Sequence, residues 1–500
     1  MSFKLFPPHI ADFYKTGHLR MYPKGTQYVY SNFTPRSSRL ASMFPESFDN
    51  KVVFVGLQAT IIDLLINQWD ENFFDVSLDE VVDRYKAMMD SALGVGSVNV
   101  EHIKELHQLG YLPLRIKALP EGSRVNIGVP VFTVVNTNPK FYWLTNYIET
   151  QLSAESWKLI TTATIAYEYR KLLNHYADKT GSPKDFVEFQ GHDFSARGMS
   201  GNMDATKSGM GHLLSFLGTD TISSIDFVKH FYYVPPDEFV GGSVPATEHS
   251  VMCMGSKESE IDTFRRLINE LYPTGVISIV SDTWDFWKVI SEYAKTLKDD
   301  ILSRKINEIG LAKVVFRPDS GDPVKVICGD PEAKEGTPAH KGAIQCLWEI
   351  FGGSITETGH KILDPHVGVI YGDSITYDRA ERILRRLDEM GFASGNMVFG
   401  IGSFTYQHNT RDTFGHAYKS TWGVINGKET EIFKDPITDS GTKKSAKGLL
   451  RVIKKGNDFV LEDGVSRGVE QTGELQTVFM NGQIVKYRSW KEIRDRLHSS

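Results

Sequence analysis

Apolar and polar positions follow two different rhythms along the chain. From Lys51 the pattern is strand then helix: Val52–Val55 is a short apolar run, and Leu57–Ile66 is apolar enough for a buried helix. Residues 78–110 place Val81, Val82, Tyr85 and Met89 at helical spacing. Pro113–Val135 is rich in β-branched residues and broken by Gly122, Gly128 and Pro130, which predicts short antiparallel strands. A long helix is expected through Trp143–Tyr176, with Ile165, Tyr169, Leu172, Leu173 and Tyr176 on one face and Gly181-Ser-Pro183 ending it. Ahead of all this, residues 1–40 mix Asp12, Tyr14, Lys15, His18, Tyr28, Tyr30 and Arg36, and read as a docked N-terminal arm.

The second rhythm begins near residue 186. Short apolar runs at Phe186–Phe189, Leu213–Leu217, Val276–Val280, Val314–Phe316, Val367–Tyr371 and Val398–Phe399 are strand candidates. Polar or glycine loops follow them in order: Gly191-His-Asp-Phe194 with Arg197, Gly218-Thr-Asp220, Ser281-Asp282, Arg317-Pro-Asp319-Ser-Gly321, Gly372-Asp373-Ser374 and Gly400-Ile-Gly402-Ser403. Repeated strand–loop–helix units predict a parallel α/β barrel with its site at the carboxyl ends of the strands. A doubly wound open sheet is the alternative, and it puts the site at the same strand ends. Residues 329–362 read as an excursion from this pattern. After Arg411 the chain becomes strand-like again (Tyr418–Val424, Glu429–Phe433, Gly448–Ile453), as expected for a return to the N-terminal part. The organisation expected is an α+β domain at 1–160, a barrel at 161–405 and a returning segment at 406–500.

Length supports more than one core, since 500 residues exceed what a single core usually fills. Hydrophobic residues make up 41% and charged residues 24%, the balance of a soluble globular protein. A net charge of −6 without a basic block argues against a nucleic-acid partner. The cluster Lys443, Lys444 and Lys447 reads either as a small polyphosphate site or as a solvated loop. Three cysteines without a Cys-x-x-Cys pair fit a reducing cytoplasm and argue against disulfides or structural zinc. The first residues lack the apolar core of a signal peptide, and no apolar run approaches the ~18 residues of a membrane span. A soluble cytoplasmic protein with no membrane partner is expected.

The stretch Gly241–Ser250 carries the most pointed chemistry. Two glycines and a proline make a rigid turn that presents Glu248 and His249 side by side. A neutral histidine can attack a phosphoryl group, although one among fifteen is ordinarily a structural residue. The loops downstream single it out. Gly372-Asp373-Ser374 and Gly400–Ser403 each offer backbone N–H groups to a phosphate, or simply cap a helix; two on consecutive units favour phosphate. Arg317 can grip phosphate while Asp319 holds a sugar hydroxyl or magnesium, or the two form a buried pair. A Gly-x-x-x-x-Gly-Lys-Ser/Thr loop, a His-Glu-x-x-His site and a Gly-x-Ser-x-Gly elbow are all absent. The residues by themselves point to an α/β enzyme acting on a phosphorylated sugar, with a histidine near the phosphates.

Several motifs then stand in a specific order: Tyr142-Trp-Leu-Thr-Asn-Tyr-Ile-Glu149, His192-Asp-Phe-Ser-Ala-Arg197-Gly, Gly218-Thr-Asp220-Thr, Ser243-Val-Pro-Ala-Thr-Glu-His249-Ser, Arg317-Pro-Asp-Ser-Gly321, Gly372-Asp373 and Phe433-Lys-Asp-Pro436. Together they resemble the nicotinamide phosphoribosyltransferase family, from about Asp12 to Glu492-Ile-Arg494. The resemblance implies an irregular type II phosphoribosyltransferase barrel plus an α+β domain built from both chain ends. It implies formation of nicotinamide mononucleotide and pyrophosphate from nicotinamide and phosphoribosyl pyrophosphate, with magnesium carried by the pyrophosphate, by a homodimer whose sites lie between subunits. By the same resemblance Phe194 and the partner's Tyr14 sandwich the pyridine ring, and Asp220 accepts the carboxamide N–H. Arg197 and Arg317 grip phosphate or amide, and Asp319 holds the ribose. Gly372, Asp373, Gly402 and Ser403 line the 5-phosphate. Arg36, Arg411, Lys419 and Lys434 meet the phosphates, at least the first three from the second subunit. His249 is the residue phosphorylated by ATP, oriented by Glu248 and Asp282. This chain departs from the family pattern at Ser403 and Phe404, where glycines are expected, and at Ala417, where a serine is expected. A nicotinate phosphoribosyltransferase and an idle relative acting through its dimer surface are the alternatives.

Overall fold

The computed structural model describes residues 4–373, 375–433 and 446–499. Its strands in chain order are β1 (Thr26–Thr34), β2 (Lys51–Phe54), β3 (Leu114–Ala118), β4 (Ser123–Asn126), β5 (Phe132–Asn136), β6 (Gly191–Asp193), β7 (Gly218–Thr219), β8 (Ile277–Val280), β9 (Val314–Arg317), β10 (Gly353–Ile355), β11 (Lys361–Leu363), β12 (Val367–Tyr371), β13 (Met397–Ile401), β14 (Ala417–Ile425), β15 (Lys428–Glu431), β16 (Leu449–Lys455), β17 (Asp458–Val465), β18 (Gln476–Met480) and β19 (Gln483–Ile484).

One sheet gathers both ends of the chain. Its order is β15-β14-β1-β5-β3-β18-β19, antiparallel throughout. The supposed N-terminal arm is therefore partly wrong: β1 lies inside this sheet and is buried along most of its length. Tyr30 and Phe33 face cores on either side, so β1 shows none of the alternation that a half-exposed strand would.

The second sheet is parallel, in the order β7-β6-β13-β12-β9-β8. Strands β8 and β12 are buried at every position, as expected of strands covered on both faces. Between its two edges runs the strip Gly242–Thr247. Gly242 bridges Gly218 of β7 and Ala246 bridges Ser278 of β8, both in the parallel sense. On one side Thr219 N–H donates to the Gly242 carbonyl at 2.9 Å. On the other, Thr247 N–H donates to Ser278 and Ser278 N–H to Pro245, both at 2.9 Å. The strip joins the edges and makes the curled sheet an irregular barrel.

Two of the expected strands are misplaced. Phe186–Phe189 belongs to helical turns (Lys184–Phe186 and Val187–Gln190), and β6 starts only at Gly191. A Cβ at Gly191 would lie 2.8 Å from the Phe216 ring, so the strand begins where a bare backbone fits under that ring. Leu213–Leu217 is the end of the helix Asn202–Leu213 and the turn after it, and β7 is only Gly218–Thr219. A short apolar run reads the same in a buried helix as in a buried strand. Residues 329–362 are no excursion either: the helix Ala343–Phe351 puts Ala343, Ile344 and Leu347 into the barrel core, and β10 pairs with β11 behind it.

The 32-residue helix Glu149–Thr180 runs between the two sheets. Its Leu152 and Ile160 enter the core of the antiparallel body, while Ile165, Tyr169 and Leu173 enter that of the barrel. Buried threonines on it are satisfied locally: Thr164 Oγ1 donates to the Ile160 carbonyl at 2.6 Å and accepts the Val53 N–H at 2.9 Å. The C-terminal helix Trp490–His498 closes a third core with Val53, Leu159, Met210 and Val228. Among the described residues no helix is long and apolar enough to cross a membrane.

Arg304 is the main polar anchor beneath β8 and β9. Its buried guanidinium donates to the carbonyls of Ile268 (2.8 Å), Tyr272, Thr274 (3.3 Å), Gly275 (2.8 Å) and Ala312 (3.3 Å). Arg304→Ala leaves these acceptors facing a cavity and is expected to cost about 3 kcal/mol. Arg304→Lys should recover little of it, because an ammonium cannot fan out over five carbonyls. Chemical denaturation of the two variants checks this; an unshifted midpoint for Arg304→Ala contradicts it.

Candidate active site

Each strand of the parallel sheet delivers a singled-out residue at or just past its carboxyl end. Phe194 and Arg197 follow β6, Asp220 follows β7 and Asp282 follows β8. Arg317 ends β9 with Asp319 just beyond, Gly372 and Asp373 follow β12, and Gly402 and Ser403 follow β13. The strip between β7 and β8 leads into Glu248 and His249.

His249 opens a short helix, His249–Met254, and is half-exposed. Its Nε2 lies 3.3 Å from Asp282 Oδ1. The buried Asp282 works with both oxygens. Oδ2 accepts from Asp319 N–H (2.9 Å), Ser320 N–H (2.8 Å) and Ser320 Oγ (2.6 Å), while Oδ1 has no hydrogen bond and faces the imidazole. Glu248 differs from expectation. Its carboxylate accepts a hydrogen bond from Ser250 Oγ, and none of the hydrogen bonds or ion pairs described joins it to the His249 ring. The backbone turns from extended at Glu248 to helical at His249.

Arg317 donates through Nη2 to the Thr247 carbonyl at 2.6 Å, tying β9 to the closing strip, and its Nε lies 3.6 Å from Asp319 Oδ1. The pair is partly buried, yet Arg317 Nε and Asp319 Oδ1 lack hydrogen-bond partners. Burial pushes the Asp319 carboxyl above its ordinary range; Arg317 pulls it down, but Asp282 and Asp373 act with burial. Gly372 makes room for it: a Cβ there would sit 2.1 Å from Asp319 Oδ1. The result is a carboxylate oxygen held beside a bare backbone with no donor of its own.

At β6 and β7 the anchor is Asp193, fully buried. It accepts from Ser195 N–H (2.9 Å), Ser195 Oγ (2.6 Å) and Thr221 Oγ1 (2.7 Å), which fixes the loops bearing Phe194 and Asp220. Phe194 packs on Gly400, where a Cβ would lie 2.6 Å from its ring, and sits 4.7 Å from the His192 ring. Asp220 Oδ1 takes His192 Nε2 at 2.9 Å and Ser243 Oγ at 2.5 Å. Burial acts to raise the Asp220 carboxyl, but the His192 and Ser243 hydrogen bonds and the Arg317 charge outweigh it and hold it below the ordinary range. Arg197 is exposed beside this pocket. Ser403 fills space against the Arg197–Gly198 turn, since a Cβ on Gly198 would meet Ser403 Oγ at 2.1 Å, whereas nothing lies within 4 Å of a Cβ on Gly402. Asp193, His192 and Ser243 stand inside the motifs quoted above, but residue order carries no sign of these contacts.

The remaining candidates sit on the antiparallel body. Tyr14 is 60% exposed, with its described ring contacts to His18 and Lys15. Arg36 donates to the Gly415 carbonyl at 3.2 Å, Arg411 pairs with Asp412 at 3.0 Å, and Lys419 is exposed on β14 opposite Asn32. Arg36, Arg411 and Lys419 thus share one edge of that body, with Ala417 between them at the start of β14. Within one chain, the contacts described for Tyr14, Arg36 and Arg411 are all with this body. Lys434 lies outside the described residues, as do Lys443 and Lys444.

Magnesium binds oxygen ligands and is commonly held by phosphates and water with one or two carboxylates. The donor-free Asp319 Oδ1 suits such a role, with Asp373 electrostatically close by. Among the described residues no group of three or more His, Cys, Asp or Glu side chains converges into a metal cage.

Phosphate-type loops, an Arg–Asp pair and a histidine around the rim of a curled parallel barrel are the layout of a barrel-type phosphoribosyltransferase. Residues 189–483 match the nicotinate phosphoribosyltransferase family, and the chain belongs to it. It is 62% identical over 497 residues to the nicotinamide phosphoribosyltransferase of Acinetobacter baylyi, covering 99% of this chain and 98% of that one. It is 35% identical to the nicotinamide phosphoribosyltransferase of Mycoplasma pneumoniae over 88% of this chain and 94% of the relative. Two crystal structures share the fold. The nicotinate-nucleotide pyrophosphorylase of Pyrococcus furiosus has a TM-score of 0.55 at 13% identity, covering 98% of this chain and 94% of that one. The human nicotinic acid phosphoribosyltransferase has a TM-score of 0.50 at 16% identity, covering 98% and 93%.

A carboxyl whose pKa is raised on folding binds its proton more tightly in the native state, so its contribution to stability falls as pH rises from the ordinary carboxylate value through the raised one. Asp319→Asn removes this penalty. The variant is expected to melt above the wild type at pH 7 and to lose that advantage as pH drops below the ordinary carboxylate range; a lower melting temperature at pH 7 contradicts the assignment.

Proposed function

We propose that the protein transfers the phosphoribosyl group of phosphoribosyl pyrophosphate to nicotinamide, releasing pyrophosphate and forming nicotinamide mononucleotide for NAD salvage. The observation that carries the reading is Asp220, a half-exposed carboxylate whose Oδ1 is occupied by His192 and Ser243, with the same His192 ring lying 4.7 Å from the Phe194 ring. A negatively charged acceptor there suits a carboxamide N–H and repels the carboxylate of nicotinate. The names of the two relatives above support the same substrate. The pyridine ring stacks on Phe194, a contact worth ~1 kcal/mol per face, with Tyr14 of a second copy covering the other face.

Bond making is then simple. The pyridine nitrogen lone pair forms the bond to C1 of the ribose as the C1–O bond to pyrophosphate breaks, and no proton needs to move. Asp319 holds the ribose hydroxyls, Arg317 and Arg197 hold anionic oxygens, and the backbone at Gly372, Asp373, Gly402 and Ser403 receives the 5-phosphate. Asp319, with Asp373 close by, would hold a magnesium ion carried by the pyrophosphate, which would supply charge neutralisation for the leaving group. Developing positive charge at C1 is stabilised by the anionic groups around it.

A second step belongs to His249. The charge of Asp282 Oδ1, 3.3 Å from Nε2, favours the proton on that nitrogen and leaves Nδ1 as the nucleophile toward the γ-phosphorus of ATP; ADP leaves, and water later cleaves the phosphohistidine. Glu248, bonded to Ser250, helps to set the start of the helix rather than the ring. The exposed cations Arg36, Arg411 and Lys419, with Lys434, serve the phosphates of a neighbouring copy, so the working unit is a homodimer. Three unpaired cysteines suit a cytoplasmic setting.

Purified protein with magnesium and phosphoribosyl pyrophosphate, offered nicotinamide or nicotinate with and without ATP, tests this reading. Mononucleotide from the amide alone, stimulated by ATP, is expected, and product from the acid instead overturns it. Asp220→Ala should lower kcat/KM for nicotinamide by about 100-fold, the loss of a charge-assisted hydrogen bond and its orientation. His249→Ala should keep basal transfer and lose the response to ATP.

A further inference from the structure

We infer that His192 is a positioning residue for the amide acceptor, acting with Ser243 as a two-donor clamp on Asp220; this rests on the nicotinamide reading above. Three observations converge on it. Both donors bind the same oxygen, Asp220 Oδ1, so the carboxylate cannot rotate without breaking two hydrogen bonds. The donors come from opposite sides of a seam. His192 lies on β6, and Ser243 lies on the strip that closes the barrel, only 3.4 Å from His192 Nε2. Strand β7 is shaped for the imidazole, since a Cβ on Gly218 would lie 2.7 Å from His192 Nδ1.

His192 itself is nearly buried while Asp220 is open on its substrate side. A free aspartate on a loop spends its rotamer freedom on binding; one clamped through Oδ1 presents Oδ2 in a single direction before the ligand arrives. The tautomer follows from this geometry. Nε2 must carry a proton to donate to Asp220, so a neutral His192 keeps its Nδ1 unprotonated against β7. The ring also lies 4.7 Å from Phe194, which couples the stacking surface to the amide acceptor through one side chain.

The test compares the full-length wild type with His192→Phe, His192→Gln and Ser243→Ala. His192→Phe keeps a flat ring but no donor, and should raise KM for nicotinamide about tenfold with kcat within about twofold of wild type, the loss of one hydrogen bond to a charged group. Ser243→Ala should raise KM in the same direction by a smaller factor, and the double variant should exceed neither single effect by their full product, since both donors serve one oxygen. His192→Gln, whose Nε2 amide can reach Asp220, should restore most of the binding. A melting temperature within a few degrees of wild type marks each variant as folded; where His192→Phe fails that check, the Gln and Ala variants decide. An unchanged KM in folded His192→Phe, or in folded Ser243→Ala, overturns the clamp. So does a kcat loss that Gln does not rescue. If the wild type itself makes no mononucleotide from nicotinamide, it is the substrate reading that fails, and the clamp falls with it.

Discussion

Backbone hydrogen bonds from the strip Gly242–Thr247 to both edges of the parallel sheet hold the site together. An open six-stranded sheet would leave β7 and β8 with unpaired edges and their loops without a common floor. The strip satisfies both edges, and its side chains and carbonyls then engage three loops: Ser243 reaches Asp220, the Thr247 carbonyl receives Arg317, and the chain beyond delivers His249 to Asp282. Its sequence suits the task. Gly241 lies where a Cβ would press to 2.5 Å against Leu213, and Gly242 next to it bridges Gly218 of β7. Closure of the barrel and placement of the candidate histidine are one structural event.

Around that seam the protein divides its buried polar groups into two kinds. Asp193 and Arg304 are fully engaged, with every contact to backbone or hydroxyl groups of the neighbouring loops, and they give rigidity. Asp282 Oδ1, Asp319 Oδ1 and Arg317 Nε are buried without hydrogen-bond partners in the same small volume. Unsatisfied groups of this sort cost stability, and three of them at neighbouring strand ends are what the proposed binding of a polar, charged ligand would satisfy. The Asp319 carboxyl, raised by burial, expresses the same cost as a titration.

Much of this is legible in the residue order, and the exceptions have physical causes. Strands β8, β9, β12 and β13 are apolar runs buried on both faces, so hydropathy finds them, and with them Asp282, Asp319, Gly372 and Gly402 at their ends. Strands β6 and β7 are three and two residues long and begin at glycines, so their apolar neighbours were read as strand when they are helical. Strand β1 hides because a central strand with two tyrosines, a serine and an asparagine on it lacks both alternation and an apolar run. At the site, residue identity marks Glu248 and His249 as a pair, but in the fold Glu248 bonds to Ser250 while His249 faces Asp282. The partners that orient Asp220 come from 23 and 28 residues away, and only the fold brings them together.

In the proposed homodimer a working site needs the barrel rim of one copy and the cationic edge of another. Subunit complementation tests it most directly. Two variants, one disabled at the rim by Asp319→Ala and one disabled at the edge by Arg36→Ala with Arg411→Ala, are each assayed alone, then unfolded, mixed and refolded together. In a two-fold dimer half of the molecules formed are mixed and each carries one intact site, so activity should return to about a quarter of wild type. A mixture no more active than its components would place the rim and the edge in the same chain's site, and would contradict the account.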